Sequence, residues 1–166
     1  VRDALLLIDL WAKRAEPGSV YADITWTGYV GAAVPAKHRQ IFDLVCQGRD
    51  AALTFVQREI AAGHRPFGWE ADNACREVIQ RGGYGDHFVH RTGHSIGEEV
   101  HGNGANIDSL ETQDTRRLMP RTCFSIEPGI YLPGEFGIRS ELDVYLAERE
   151  ALVFGLPLQN EIVPLF

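Results

Sequence analysis

Cysteine is scarce in this chain: Cys46, Cys75 and Cys123 are odd in number and widely spaced, with no Cys-x-x-Cys pair. That excludes a disulfide framework and a cysteine-based zinc site. It fits buried thiols in a reducing compartment, and the expected location is cytoplasmic. Long apolar runs are missing too. The longest strictly apolar stretch is Ala4–Ile8, far short of the roughly 20 residues a membrane-crossing helix needs. No charged segment leading into a short apolar stretch marks a secretory signal. Basic charge is in deficit, with 16 Lys and Arg against 23 Asp and Glu and a net charge of −7. Phosphate binding wants clustered Lys and Arg, so neither nucleic acid nor membrane is expected as a partner. Low-complexity tracts, tandem repeats and Pro/Ser-rich linkers are likewise missing.

What remains is an ordinary globular composition, 45% apolar and 23% charged over 166 residues, which fits one domain spanning 1–166 with a real core. Ala4–Leu10 and Tyr21–Val30 read as strands joined through a loop containing Pro17-Gly18, an antiparallel hairpin. From Pro35 the apolar period becomes helical, through Ile41, Leu44, Val45, Ala52, Phe55, Val56 and Ile60, with Gly63 as the stop. A second helix is expected from about Ala71 to Gln80, ended by Gly82-Gly83. Then come strand candidates at His87–His90, Arg121–Leu132, Gly137–Leu146 and Asn160–Leu165. The order strands, two helices, strands predicts an α+β fold with helices on one face of a mostly antiparallel sheet.

Five residues stand out chemically: Asp9, Asp23, His94, Glu127 and Glu141. Asp9 interrupts an apolar strand, and an ionised carboxylate there is costly to desolvate unless it is paired or binds metal. Taken alone, a strand-end acid facing solvent accounts for it as simply. The hairpin can bring Asp23 beside Asp9, where two carboxylates repel unless a proton or a cation intervenes; a loop Asp capping a turn accounts for Asp23 equally well. In His90–His101, three of the six histidines fall within twelve residues, interleaved with glycines that let the backbone approach another group closely. Glu127 precedes Pro128, which cannot donate a ladder hydrogen bond, so the strand should be disturbed there. Glu141 lies two residues beyond Arg139, and a surface Arg–Glu pair would also explain it. Together, four carboxylates and one imidazole suit a pair of Mn, Co, Fe or Zn ions. Such a pair can acidify a bridging water to hydroxide near neutral pH. The residue chemistry points to a di-metal hydrolase without choosing its substrate.

The segments Leu7-Ile8-Asp9-Leu10, Asp23-Ile24-Thr25, His90-Arg91-Thr92-Gly93-His94-Ser95-Ile96-Gly97 with His101, Ile126-Glu127-Pro128-Gly129 and Gly137-Ile138-Arg139-Ser140-Glu141 resemble, in order, the motifs of the pita-bread metallopeptidases. Within that family the chain looks most like the prolidase and Xaa-Pro aminopeptidase branch. The resemblance implies a pita-bread (creatinase/aminopeptidase-like) fold and two divalent metal ions. Asp9 would hold one metal and Asp23 and Glu141 would bridge both, with His94 and Glu127 on the second. It implies that Glu127 also shuttles a proton from the attacking water to the leaving nitrogen. His101 would stabilise the oxyanion, His90 would line the substrate site, and Arg139 would neighbour the bridging glutamate. The implied substrate is a peptide cut before proline near its amino terminus.

The chain departs from the family pattern in four places. The loop before Asp23 is longer by about Ala15-Glu16-Pro17-Gly18. Trp11 stands where a glycine is common and Trp26 where an arginine is common, and both are expected to reshape the substrate pocket. The family's upstream helices, strand and substrate-binding histidine have no counterpart. This length therefore reads as the later part of a catalytic domain, with an exposed apolar sheet face that a missing N-terminal segment or a homodimer partner would cover. The competing readings are a methionine-aminopeptidase-like enzyme, a creatinase-like hydrolase that needs no metal, and a non-catalytic fragment or binding module.

Overall fold

A computed structural model describes residues 2–166. Strands β1 (Leu5–Ala12) and β2 (Ala22–Tyr29) form the expected antiparallel hairpin, in a register that pairs Asp9 with Thr25 and Trp11 with Asp23. Because strand side chains alternate, Asp9, Trp11, Asp23 and Thr25 share one face. Asp9 and Asp23 are diagonal neighbours on it rather than direct partners. The opposite face carries Leu6, Ile8 and Leu10, which remain 42%, 53% and 65% exposed. That is the uncovered apolar surface the sequence predicts. Trp26 pairs with Ile8 on this outer face. The expectation that it shapes the substrate pocket is therefore corrected: the strand period turns it away from Asp23.

Helix α1 (Ala36–Ala61) starts behind Pro35, whose fixed φ and missing N–H suit a helix entrance. It ends at Gly63, whose φ of +85° lets His64 N–H return to the Glu59 carbonyl at 2.9 Å. Its buried stripe is apolar except for Arg49, which is 1% exposed and donates to Ser140 Oγ at 2.7 Å and to the Gln159 carbonyl at 2.9 Å. Helix α2 (Gly68–Arg81) begins three residues before the apolar period predicts, because the Glu70 carboxylate reaches back to Phe67 N–H at 2.8 Å and satisfies an otherwise free donor. The two helices pack on each other, and α1 also packs on the strands that follow.

After α2 the backbone leaves regular structure. His87–His90 does not form a strand: Gly85–His87 is one turn of 3-10 helix, and the next residues bond to side chains of α2. The Phe88 and His90 carbonyls accept from Arg76, while Thr92 N–H donates to Asp72 Oδ1 at 2.8 Å. A segment whose backbone groups are spent on a helix has none left for a ladder.

The remaining strands are β3 (Ser95–Ile96), β4 (Cys123–Ile126), β5 (Gly129–Leu132), β6 (Phe136–Arg139), β7 (Leu142–Leu146), β8 (Ala151–Phe154) and β9 (Val163–Pro164). They form a four-stranded antiparallel sheet in the order β3-β4-β7-β8 and a β5-β6 hairpin, while β9 joins β2 in parallel. The two long strands expected over Arg121–Leu132 and Gly137–Leu146 each divide. The first breaks at Glu127-Pro128, where Glu127 N–H turns aside to the Thr92 carbonyl at 2.7 Å. The second breaks at Ser140-Glu141, where Arg49 takes the serine and Thr25 Oγ1 donates to Glu141 Oε2 at 2.6 Å. Both breaks fall on acids singled out by the sequence. Among the described residues no helix is long and apolar enough to cross a membrane.

Candidate metal centre

The register places Asp23 and Thr25 on the face of β2 that meets β7, and the two strand breaks turn Glu127 and Glu141 toward the same point. His94 arrives from the loop before β3. Gly93 makes that approach feasible, since a Cβ there would collide with the Ser125 carbonyl. One ligand atom each from Asp23, His94 and Glu141 lies within 4.8 Å of the others, and all three residues are buried. His94 donates its backbone N–H to Ser125 Oγ at 3.0 Å and sets Nδ1 on the Ser95 carbonyl at 3.1 Å. That pairing gives Nδ1 a proton and turns Nε2 inward, where it can serve as a ligand once its own proton is lost. Nε2 lies 3.5 Å from Asp23 Oδ2 and 3.3 Å from Glu127 Oε1.

Asp9 is not in this cluster. Its half-exposed carboxylate binds the Arg139 guanidinium, whose Nε donates to Thr25 Oγ1 at 3.0 Å and whose Nη1 lies 3.8 Å from Glu127 Oε2. Arg139 thus ties Asp9, Thr25 and Glu127 together. The His101 ring packs edge-on against His94, centroids 4.3 Å apart. His90 stands farther out, its Nε2 2.8 Å from the Tyr131 hydroxyl and its ring edge-on to Phe88.

Composition and spacing did not reveal Asp143. It is 6% exposed, accepts Asp23 N–H on Oδ2 at 2.9 Å, and adds a fourth acid to Asp23, Glu127 and Glu141. The signal was the alternation in Glu141-Leu142-Asp143-Val144: the apolar residues fill the core, so both acids must face the site.

Crowding sets the electrostatics. Burial first, and the Glu127 charge second, push Glu141 up to about 9. Burial likewise pushes Asp143 up to about 7 and raises Glu127. For His94 burial acts downward, but the Asp23 hydrogen bond and the Glu127 charge outweigh it and the imidazole rises. His90 and His101 are both lowered, chiefly by burial. Three buried carboxylate oxygens, Asp23 Oδ1, Glu141 Oε1 and Asp143 Oδ1, have no hydrogen-bond partner. Buried carboxylate oxygens without partners are an expensive arrangement for a protein alone. They fit a divalent cation, which neutralises the charge and takes oxygen and imidazole ligands.

Behind the cluster, Asp72 and Arg76 on α2 form a clamp. Asp72, fully buried, accepts Arg76 Nε at 2.6 Å, Thr92 N–H at 2.8 Å and Ser109 N–H at 2.9 Å, while Arg76 holds the Phe88 and His90 carbonyls. Asp72→Ala is expected to cost about 3–5 kcal/mol in urea denaturation, because it strands a part-buried guanidinium and two backbone donors. Glu77→Ala, which breaks the exposed i,i+4 pair with Arg81, is the control at about 0.5 kcal/mol or less. Similar losses for the two would contradict the clamp.

The model of metallopeptidase family M24 matches residues 1–148. The chain belongs to that family. An Xaa-Pro dipeptidase of Pyrococcus furiosus is 33% identical over 150 residues, covering 90% of this chain and 39% of that protein. Among solved structures, prolidase from Thermococcus sibiricus superposes with a TM-score of 0.82 at 27% identity, over 98% of this chain and 41% of that one. The X-Pro aminopeptidase from Thermotoga maritima gives 0.78 at 31%, over 98% and 42%. This M24 chain therefore has the α+β pita-bread fold and spans about two fifths of the length of these relatives.

Proposed function

We propose that the chain carries the metal centre of a di-metal hydrolase that cleaves peptides near their amino terminus, before proline. The observation that carries this reading is the convergence of Asp23, His94 and Glu141, with Glu127 Oε1 3.3 Å from the imidazole and two buried ligand oxygens unpartnered. The relatives whose names include Xaa-Pro dipeptidase and X-Pro aminopeptidase support the choice of bond. In this reading Asp9, Asp23, His94, Glu127 and Glu141 would hold the ions. The bound ions, manganese among the candidates, would supply Lewis-acid activation of water and of the scissile carbonyl.

The protein's own groups do the rest. Glu127, oriented by the Ser125 hydroxyl at 3.1 Å and raised by burial, accepts a proton from the attacking water and returns it to the leaving nitrogen. His101, whose ring packs on His94 and whose proton affinity is lowered, donates an N–H to the carbonyl oxygen as it gains charge. His90, held by Tyr131, lines the substrate side, and Arg139 anchors Asp9 and Glu127. Residues 1–166 would then form the metal-holding part of a catalytic domain, with cytoplasmic peptides as substrates.

The test compares Ala-Pro with a Met-Ala peptide after loading with Mn²⁺ or Co²⁺. Hydrolysis of Ala-Pro faster by roughly tenfold or more, about 1.4 kcal/mol of discrimination, is expected. Equal or preferred cleavage of the Met-Ala peptide would overturn the proline assignment.

A further inference from the structure

Trp11 is a large aromatic residue with no structural duty in the core. It is 52% exposed and lies directly opposite Asp23 in the hairpin register, on the face that carries Asp9, Asp23 and Thr25. An exposed indole at that place is costly in water and borders the metal centre. Its neighbours continue the surface. Lys13 places its ammonium 4.8 Å from the centroid of the Tyr21 ring, and Lys13 also donates to the Glu98 carbonyl. Tyr21 N–H reaches the Gly97 carbonyl at 3.0 Å. The end of the hairpin is therefore fastened to the loop that leads to His101. Tyr21 also lines a mainly apolar cavity of about 290 Å³ with Cys123, Tyr145 and Phe154, and Asp143, in the same lining, accepts Asp23 N–H.

We infer that Trp11 is the specificity wall of the site, stacking on a flat apolar side chain of the peptide next to the bond held at the metal cluster. This rests on the proposed peptidase reading. An indole offers a broad, nearly rigid apolar face at low entropic cost, and it favours aromatic over small side chains. The fastened hairpin end keeps that face in place as the peptide arrives.

The test measures binding and turnover of Phe-Pro and Gly-Pro by Mn²⁺-loaded protein with Trp11 intact, as Trp11→Ala and as Trp11→Phe. Binding is read by calorimetry in a Glu127→Gln background so that the peptide is not consumed. Trp11→Ala should lower the Phe-Pro over Gly-Pro affinity ratio roughly three- to tenfold, the worth of an aromatic contact, and Trp11→Phe should restore most of it. An unchanged ratio, or no binding of either peptide, overturns the wall. A changed binding ratio without turnover by the protein with Glu127 and Trp11 intact supports the wall and overturns the hydrolytic reading.

Discussion

Glu141→Gln is expected to make the metal-free chain more stable and, in the same protein, to abolish its uptake of divalent metal. In the fold, burial and the Glu127 charge push the Glu141 carboxyl from an ordinary 4.5 up to about 9, and Asp143 from 3.8 up to about 7. A carboxyl raised on folding holds its proton in the native state and releases it in the unfolded chain throughout that interval. The folded state then binds more protons, so stability is greatest below the unfolded values and falls as pH rises toward 9. Glutamine fills the same volume, keeps an oxygen for the Thr25 hydroxyl, and has no charge to suppress. At pH 8 the substitution should stabilise the metal-free protein by about 1–3 kcal/mol, a discounted share of what the shift implies at 1.36 kcal/mol per unit. Near pH 5 the advantage should shrink. Adding Mn²⁺ should reverse the order, since only the protein that can give up the Glu141 proton gains from binding. Thermal melts at pH 5 and 8, in EDTA and in Mn²⁺, read all four values. A variant less stable than the parent at pH 8 in EDTA, or equally stabilised by Mn²⁺, would contradict this account.

The second large effect is kinetic. Glu127→Gln removes the one carboxylate that combines contact with His94, orientation by Ser125 and a raised proton affinity. An amide can neither take the water's proton nor deliver one to the leaving nitrogen. A fall of about 10²–10⁴ in kcat is expected, the usual worth of general acid–base catalysis. Asp23, His94 and Glu141 stay in place, so bound metal should persist and circular dichroism should be unchanged. Retained turnover would remove Glu127 from the proton path; loss of metal together with activity would make it chiefly a ligand.

Much of this was legible in the sequence because it followed from local rules. The hairpin, α1 with its stop at Gly63, and the break at Pro128 come from strand alternation, helical period and the chemistry of two residue types. The acids and histidines were visible as types out of place in apolar strands. What was not legible depended on tertiary partners. His87–His90 has strand-like residues, but Arg76 and Asp72 take its backbone groups. The break at Ser140-Glu141 needs Arg49 from α1, an arginine the apolar stripe gives no reason to bury. That Trp11 shares a face with Asp23 depends on the hairpin register, which one residue of slip would invert, and that Asp9 meets Arg139 depends on a guanidinium brought by another strand. Asp143 was hidden by its own neighbourhood, since an acid two residues after Glu141 reads as a solvated strand face until β2 is seen covering it.

The central claim is that Asp23, His94 and Glu141 hold a divalent cation, and the most direct measurement is metal content after dialysis. The unmodified chain, equilibrated with Mn²⁺ and dialysed against metal-free buffer at pH 8, should retain metal in stoichiometric amount, while folded Asp23→Asn, His94→Ala and Glu141→Gln variants should retain little or none. A folded, unmodified chain that retains no metal, or variants that retain as much as it does, would contradict the claim.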